Sequence, residues 1–188
     1  MNQIIQYILT DITEVFQYIP IGMISGILFF ILSLVVKGIL KLLKYDNNIL
    51  VTKCTEISLL VTYLVIFLEI VFLSREPGTR TGVDLHLFET WGTDAQSHAY
   101  VLENILLFIP FGFLVPFVFS KCRSVIGTFC TGMFLSIGCE SIQFITQRGH
   151  CQLDDVVMNT QGTVLGYMGY RGICVVFRLI FLSKDRHM

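Results

Sequence analysis

The sequence predicts an all-α fold: a polytopic membrane helix bundle of about five transmembrane helices, preceded by an N-terminal interfacial helix. Three observations carry that expectation. The chain of 188 residues is 54% hydrophobic, and its mean hydropathy is +0.71. Only 14% of its residues are charged, against about 25% in an ordinary soluble domain. The apolar residues are also gathered into runs near the roughly 20 residues that a bilayer core requires.

Taken in order, Met1 to Ile19 place Ile4, Ile5, Ile8, Leu9, Ile12, Val15, Phe16 and Ile19 at helical spacing among Asn2, Gln3, Gln6, Asp11, Glu14 and Gln17. That pattern suits a helix lying in a membrane interface. It lacks the basic leader and small-residue cleavage site of a signal peptide. The first span runs from Pro20 to about Val36, with a possible helical continuation through Leu43, and Pro20 stands near the helix start where its missing N–H costs least. The second is Ile57 to Leu73. The third, Val101 to Phe119, holds Glu103 and Asn104 near one end and Pro110 and Pro116 inside, which predicts a kinked or broken helix. The fourth is Val125 to Ile145, and the fifth runs from Val156 to about Leu182, with Arg171 and Arg178 within it.

Orientation follows from the preference of Lys and Arg in short loops for the cytoplasm. Lys37, Lys41, Lys44, Lys53, Lys121, Arg123, Arg178, Lys184 and Arg186 fall on one side, while Arg75, Arg80 and Arg148 fall on the other. The expected arrangement is therefore N-terminus outside and C-terminus inside, with multiple passes through the plasma membrane. Asp11, Glu14, Glu76, Asp84, Glu89, Asp94, Asp154 and Asp155 then lie outside, a polarity that the net charge of −1 conceals. No nucleic-acid partner is implied. The six cysteines are scattered over both sides and the spans, so no disulfide framework is expected. With no CxxC or HxxxH and the histidines dispersed, neither a metal nor another cofactor is expected.

The segment ESIQFITQRGHCQLDDVVMN, Glu140 to Asn159, places carboxylates, an arginine and amides at the joint between the last two spans. Ionisable groups at membrane depth cost about 2.5 to 3.5 kcal/mol on insertion scales, so they usually face protein or water and mark functional sites. Glu140 and Gln143 share a helix face at i, i+3, as do Asp155 and Asn159 at i, i+4. Asn104 opens the third span at the same level. Arg148 can pair in bidentate fashion with Glu140, Asp154 or Asp155, or can hold an anionic group of a ligand. Asp154 and Asp155 also suit a helix N-terminus, where a carboxylate caps free N–H groups. Whether the network pins two helices or binds a ligand stays open.

Below Asn159, Gly162, Gly166 and Gly169 form a small-residue stripe that permits close helix approach, with Gly127, Gly132 and Gly138 on the fourth span as the expected counterpart. Phe108, Phe111, Phe113 and Phe117 are expected as packing aromatics, with a lateral groove for an acyl or prenyl chain as the alternative. The long connection from Ser74 to Tyr100 can overhang the site with Arg75, Arg80, His86, Trp91 and His98, and its VDLHLF has the alternation of a short strand. No nucleophile elbow, phosphate loop or Rossmann glycine pattern occurs.

Arg75 and Arg80 after a span, NILLFIPFGFLVP from Asn104 to Pro116, ESIQ from Glu140, Arg148, and DDVVMNTQGTVLGY from Asp154 to Tyr167 resemble, in that order, the VanZ-like family of small bacterial membrane proteins. The resemblance covers roughly residues 57–170. Residues 1–50, read above as interfacial helix plus first span, lie outside it, and residues 51–188 are expected to form a VanZ-like four-helix transmembrane domain. The resemblance implies Arg75, Arg80, Asn104, Glu140, Gln143, Arg148, Asp155 and Asn159 as recurrent polar positions, and an association with resistance to the lipoglycopeptide teicoplanin. The chain departs from the family at Asp84 to Phe88 and at His150 to Gln152. The expected function is an outward-facing polar pocket, including Asp154, that recognises an amphiphile: a membrane lipid, a lipoglycopeptide or a lipid-linked cell-wall precursor. An enzyme modifying such a precursor or lipid, with Glu140 as general acid or base, and a structural partner subunit remain as alternatives.

Overall fold

The structure, a computed structural model, describes residues 2–43, 51–73, 75, 77–78, 82–84, 86–87, 94–149 and 151–184, with side chains through residue 180. Arg80, Trp91 and His150 lie outside the described residues. Among the described residues six α-helices follow one another: α1 (Asn2–Val15), α2 (Ile19–Leu42), α3 (Val51–Leu68), α4 (Ala95–Val118), α5 (Val125–Thr146) and α6 (Leu153–Lys184). All but α1 are long and apolar enough to cross a membrane, so the predicted multi-spanning helical membrane protein is what the chain forms.

Most boundaries follow local chemistry. Pro20 sits in the first turn of α2. Asp94 and Ser124 begin α4 and α5 by accepting the N–H of Ser97 and of Gly127. Three features differ from the sequence expectation. The second span ends in a π-helical turn, Glu69–Leu73, rather than in α-helix. Despite Pro110 and Pro116, α4 is one continuous helix rather than a broken one. Near Pro110, Tyr63 donates its hydroxyl to the Leu107 carbonyl at 2.9 Å and so ties α3 to α4. The last helix begins earlier than expected, at Leu153 rather than Val156, and α6 runs as one helix through Arg171 and Arg178. A two-residue parallel bridge joins β1 (Val83–Asp84) to β2 (Cys151–Gln152), pairing Val83 with Cys151 and Asp84 with Gln152.

Within the bundle α4 is central, packing against α1, α3, α5 and α6, while α2 packs on α3. Glycines set the closest approaches. A Cβ on Gly162 or Gly166 would collide with the backbone carbonyls of Ile105 or Ile109 on α4, and one on Gly112 with the carbonyl of Thr163. The glycine stripe of α6 therefore seats against α4, not chiefly against α5 as expected. From α5 only Gly132 joins this seam, against the Thr163 side chain, whereas a Cβ on Gly138 would meet open space. The core contains Leu60, Phe67, Val71, Phe108, Phe111, Val115, Cys122 and Cys139. Phe108 stands edge-on to Phe67 with ring centres 5.3 Å apart, and Phe117 edge-on to Tyr170 at 4.8 Å. Those contacts fit the packing reading of the aromatics.

Helices alternate in direction, so α2, α4 and α6 begin where α3 and α5 finish. This end carries Asp11, Glu103, Asn104, Glu140, Asp154 and Asp155 and is called the carboxylate end. The opposite, basic end carries Lys53, Lys121 and Arg123.

Candidate functional site

The polar residues of three helices meet at the carboxylate end. Asn104 on α4 donates its amide to Asp155 Oδ1 on α6 at 2.7 Å. One turn further along α6, Asn159 donates to Ser136 Oγ on α5 at 2.9 Å. Ser136 is in turn one helical turn from Glu140, so α5 and α6 face each other through matched polar pairs. Glu140 is only 4% exposed. Its Oε2 accepts the N–H of Gln152, at the foot of α6, at 3.0 Å. Asp154 and Asp155 lie in the first turn of α6, where negative charge suits the helix dipole.

Two of the predicted residues bond to backbone carbonyls. Gln143 donates to the Val71 carbonyl at 3.3 Å. Arg148 donates through Nη1 to the carbonyls of Phe72 and Arg75, the latter at 2.9 Å. The expected ion pair of Arg148 with Glu140, Asp154 or Asp155 is not among the ion pairs of the described residues. The cause lies in the π-helical turn, which presents the Val71 and Phe72 carbonyls to the α5–α6 joint, and a guanidinium is well suited to collect such acceptors. The stitching continues beyond them. Gly78 donates to the Gln147 carbonyl at 2.9 Å and Cys151 to the Gly82 carbonyl at 3.0 Å. Gln147, which closes α5 in the left-handed region with φ of 54°, sits at the centre of this seam.

Arg75 is the cation that reaches the carboxylates. It acts electrostatically on both Glu140 and Asp155, and its guanidinium lies so close over Gly149 that a Cβ there would fall 3.1 Å from Nη1. Arg148, by gripping the Arg75 carbonyl, positions that side chain. Cys151 flanks the same cluster, and its thiol pKa is raised by burial and then by Glu140 and Asp155. Arg75, Asn104, Glu140, Gln143, Arg148, Asp154, Asp155 and Asn159 thus gather at one end. Arg80 lies outside the described residues. No group of three or more His, Cys, Asp or Glu among the described residues is placed to hold a metal ion.

Two buried polar atoms lack hydrogen-bond partners among the described residues, Asn159 Oδ1 and Glu103 Oε1. Glu103 was not singled out by sequence as a site residue. The available signal was Asp11, a carboxylate standing in the apolar spacing of α1, which faces Glu103. An open groove of about 390 Å³ follows Ile5, Gln6, Leu9, Thr10 and Thr13 of α1 and includes none of the predicted site residues.

Comparison with known proteins identifies the family. The family model described as VanZ/LLP1 matches residues 57–179, most of the chain, and the chain belongs to that family. Protein VanZ of Enterococcus faecium is 36% identical over 70 residues, which are 37% of this chain and 43% of that relative. The chain therefore spans less than half the length of this curated relative. No solved structure matches it significantly.

Proposed function

We propose that this VanZ/LLP1-family protein lies in the bacterial cell membrane with its carboxylate end outward and recognises there the polar head of an amphiphile, an envelope lipid or a lipid-tailed glycopeptide. Its cellular consequence is a shift in teicoplanin susceptibility. The observation that carries the reading is the convergence of Asn104, Glu140, Asp155 and Asn159 from three helices, with Arg75 beside them, at depths where polar side chains are costly. Arg75 supplies a donor fork for an anionic group, while Glu140 and Asp155 supply acceptors for hydroxyls or an amine. Arg148 and Gln143 hold the frame and do not touch the ligand.

Expression in a susceptible Gram-positive host tests the reading. Sensitivity to teicoplanin should fall while sensitivity to vancomycin, which lacks the lipid tail, stays constant. Equal shifts, or no shift at equal membrane expression, would sink it. Orientation is tested at Cys151 with an impermeant thiol reagent. Slow labelling on intact cells is expected, because the raised thiol pKa keeps the thiolate scarce; labelling only after permeabilisation reverses the topology.

A second reading makes Glu140 the general acid or base of an enzyme modifying an envelope lipid or cell-wall precursor. Its burial beside Asp155 favours this chemistry. Glu140→Gln keeps the shape and most hydrogen bonds but ends proton transfer, so an enzyme loses its effect and a binder keeps part of it.

A further inference from the structure

Helix α1 presents two adjacent stripes. Ile4, Ile8, Asp11 and Val15 are partly buried, at the 4-3-4 spacing of a single face, on a helix that packs against α4. Ile5, Leu9, Ile12 and Phe16 form the neighbouring stripe and are 49%, 56%, 41% and 62% exposed. Asp11 thus occupies a packing position among aliphatic residues. What it meets there is a second carboxyl, that of Glu103. Glu103 Oε1 is buried and without a hydrogen-bond partner among the described residues.

Neither helix can neutralise this pair. Its sequence leaves α1 with Glu14 as its other acid and no Lys, Arg or His, and leaves α4 with His98 as its other charged or titratable group apart from Tyr100. Nearby elements packed against α4 bring further carboxylates to this end: Glu69 after α3, Glu140 on α5, and Asp154 and Asp155 on α6. Arg75 acts on Glu140 and Asp155, whereas the group acting on Glu103 is Asp11.

Two carboxyls in contact hydrogen-bond each other only while one is protonated, and they repel when both are ionised. We propose that Asp11 and Glu103 form a proton-dependent latch that holds α1 on α4 and releases it when the shared proton is lost. Asn104, the residue after Glu103, bonds Asp155, so release of α1 uncovers the α4 turn next to the carboxylate site. The latch does not depend on what that site binds.

The test is hydrogen exchange of the α1 amides in the full chain in lipid nanodiscs, corrected for intrinsic rates, from about pH 5 to about pH 9. Protection of α1 is expected to fall about tenfold or more as pH rises, while α5 keeps its protection. Glu103→Gln pairs with Asp11 without a shared proton and should abolish this pH dependence, and Asp11→Asn, a surface-helix change, should do the same if Glu103→Gln fails to fold. Protection of α1 that is constant across the range, or that retains its pH dependence in a folded variant, overturns the latch.

Discussion

The two ends of α4 solve the same problem differently. At the basic end, Lys53 donates to the Phe117 and Val118 carbonyls at 2.8 and 2.6 Å, Arg123 donates to Pro116 O at 3.2 Å, and the Tyr167 hydroxyl donates to Arg123 O at 2.9 Å. The Lys53 and Arg123 heads there end on carbonyls at the α4 terminus, which is capping, and Lys53 also pairs with Glu56 Oε2 at 3.1 Å. At the carboxylate end, side chain meets side chain: Asn104 with Asp155, Asn159 with Ser136, and carboxylates near Arg75. Backbone needs account for most of the first set, the Lys53–Glu56 pair apart. They do not account for the second, where buried Asn159 Oδ1 also has no partner among the described residues. That difference is why the proposed function is assigned to the carboxylate end.

Arg148 is the strongest point at which to break the contrast, because it does at the carboxylate end what Lys53 does at the other. Arg148→Ala leaves the Phe72 and Arg75 carbonyls without their donor and should cost about 3 kcal/mol, read as a fall in unfolding midpoint in detergent. Arg148→Lys should recover part of this, since one ammonium replaces a fork. Asn104→Ala is expected to cost about 2 kcal/mol, because Asp155 loses a short charge-assisted bond in a largely buried setting. Lys53→Met should cost about 1 kcal/mol, since the lysine is 37% exposed and water replaces its bonds.

The smallest effect concerns the first turn of α4. Hydrogen bonds from the Ser97 backbone and side chain lower the Asp94 pKa. The stabilisation from this cap is therefore fully present above the ordinary carboxylate value of about 4 and is lost as pH falls through the lowered folded value. Amide exchange at Ser97 should quicken only in that acid range, and Asp94→Asn, which keeps the accepting oxygen, should remove the pH dependence.

Hydropathy made the five spans legible, and Pro20, Asp94 and Ser124 mark helix starts by chemistry that acts within a few residues. The glycine stripe of α6 was legible as a seam but its partner was not. Gly162 and Gly166 require some close backbone, and nothing local distinguishes Ile105 and Ile109 of α4 from α5. The gathering of Asn104, Glu140, Asp155 and Asn159 followed from placing each at one depth. The employment of Arg148 did not, because its acceptors exist only once residues 69–73 open into a π-helical turn. Glu103 was passed over for a related reason: its partner Asp11 is distant in sequence, and only the face of α1 that packs on α4 reveals the pairing.

The account stands most directly on Asp155→Asn compared with Lys53→Met. Asparagine still accepts from Asn104, so stability should change by less than about 1 kcal/mol while the charge is removed. Both variants, matched for membrane level with the parent chain, are assayed for teicoplanin and vancomycin susceptibility in the same host. The expected result is loss of the teicoplanin-selective shift in Asp155→Asn and its retention in Lys53→Met. Retention in Asp155→Asn, or equal loss in both variants, would contradict the assignment of function to the carboxylate end.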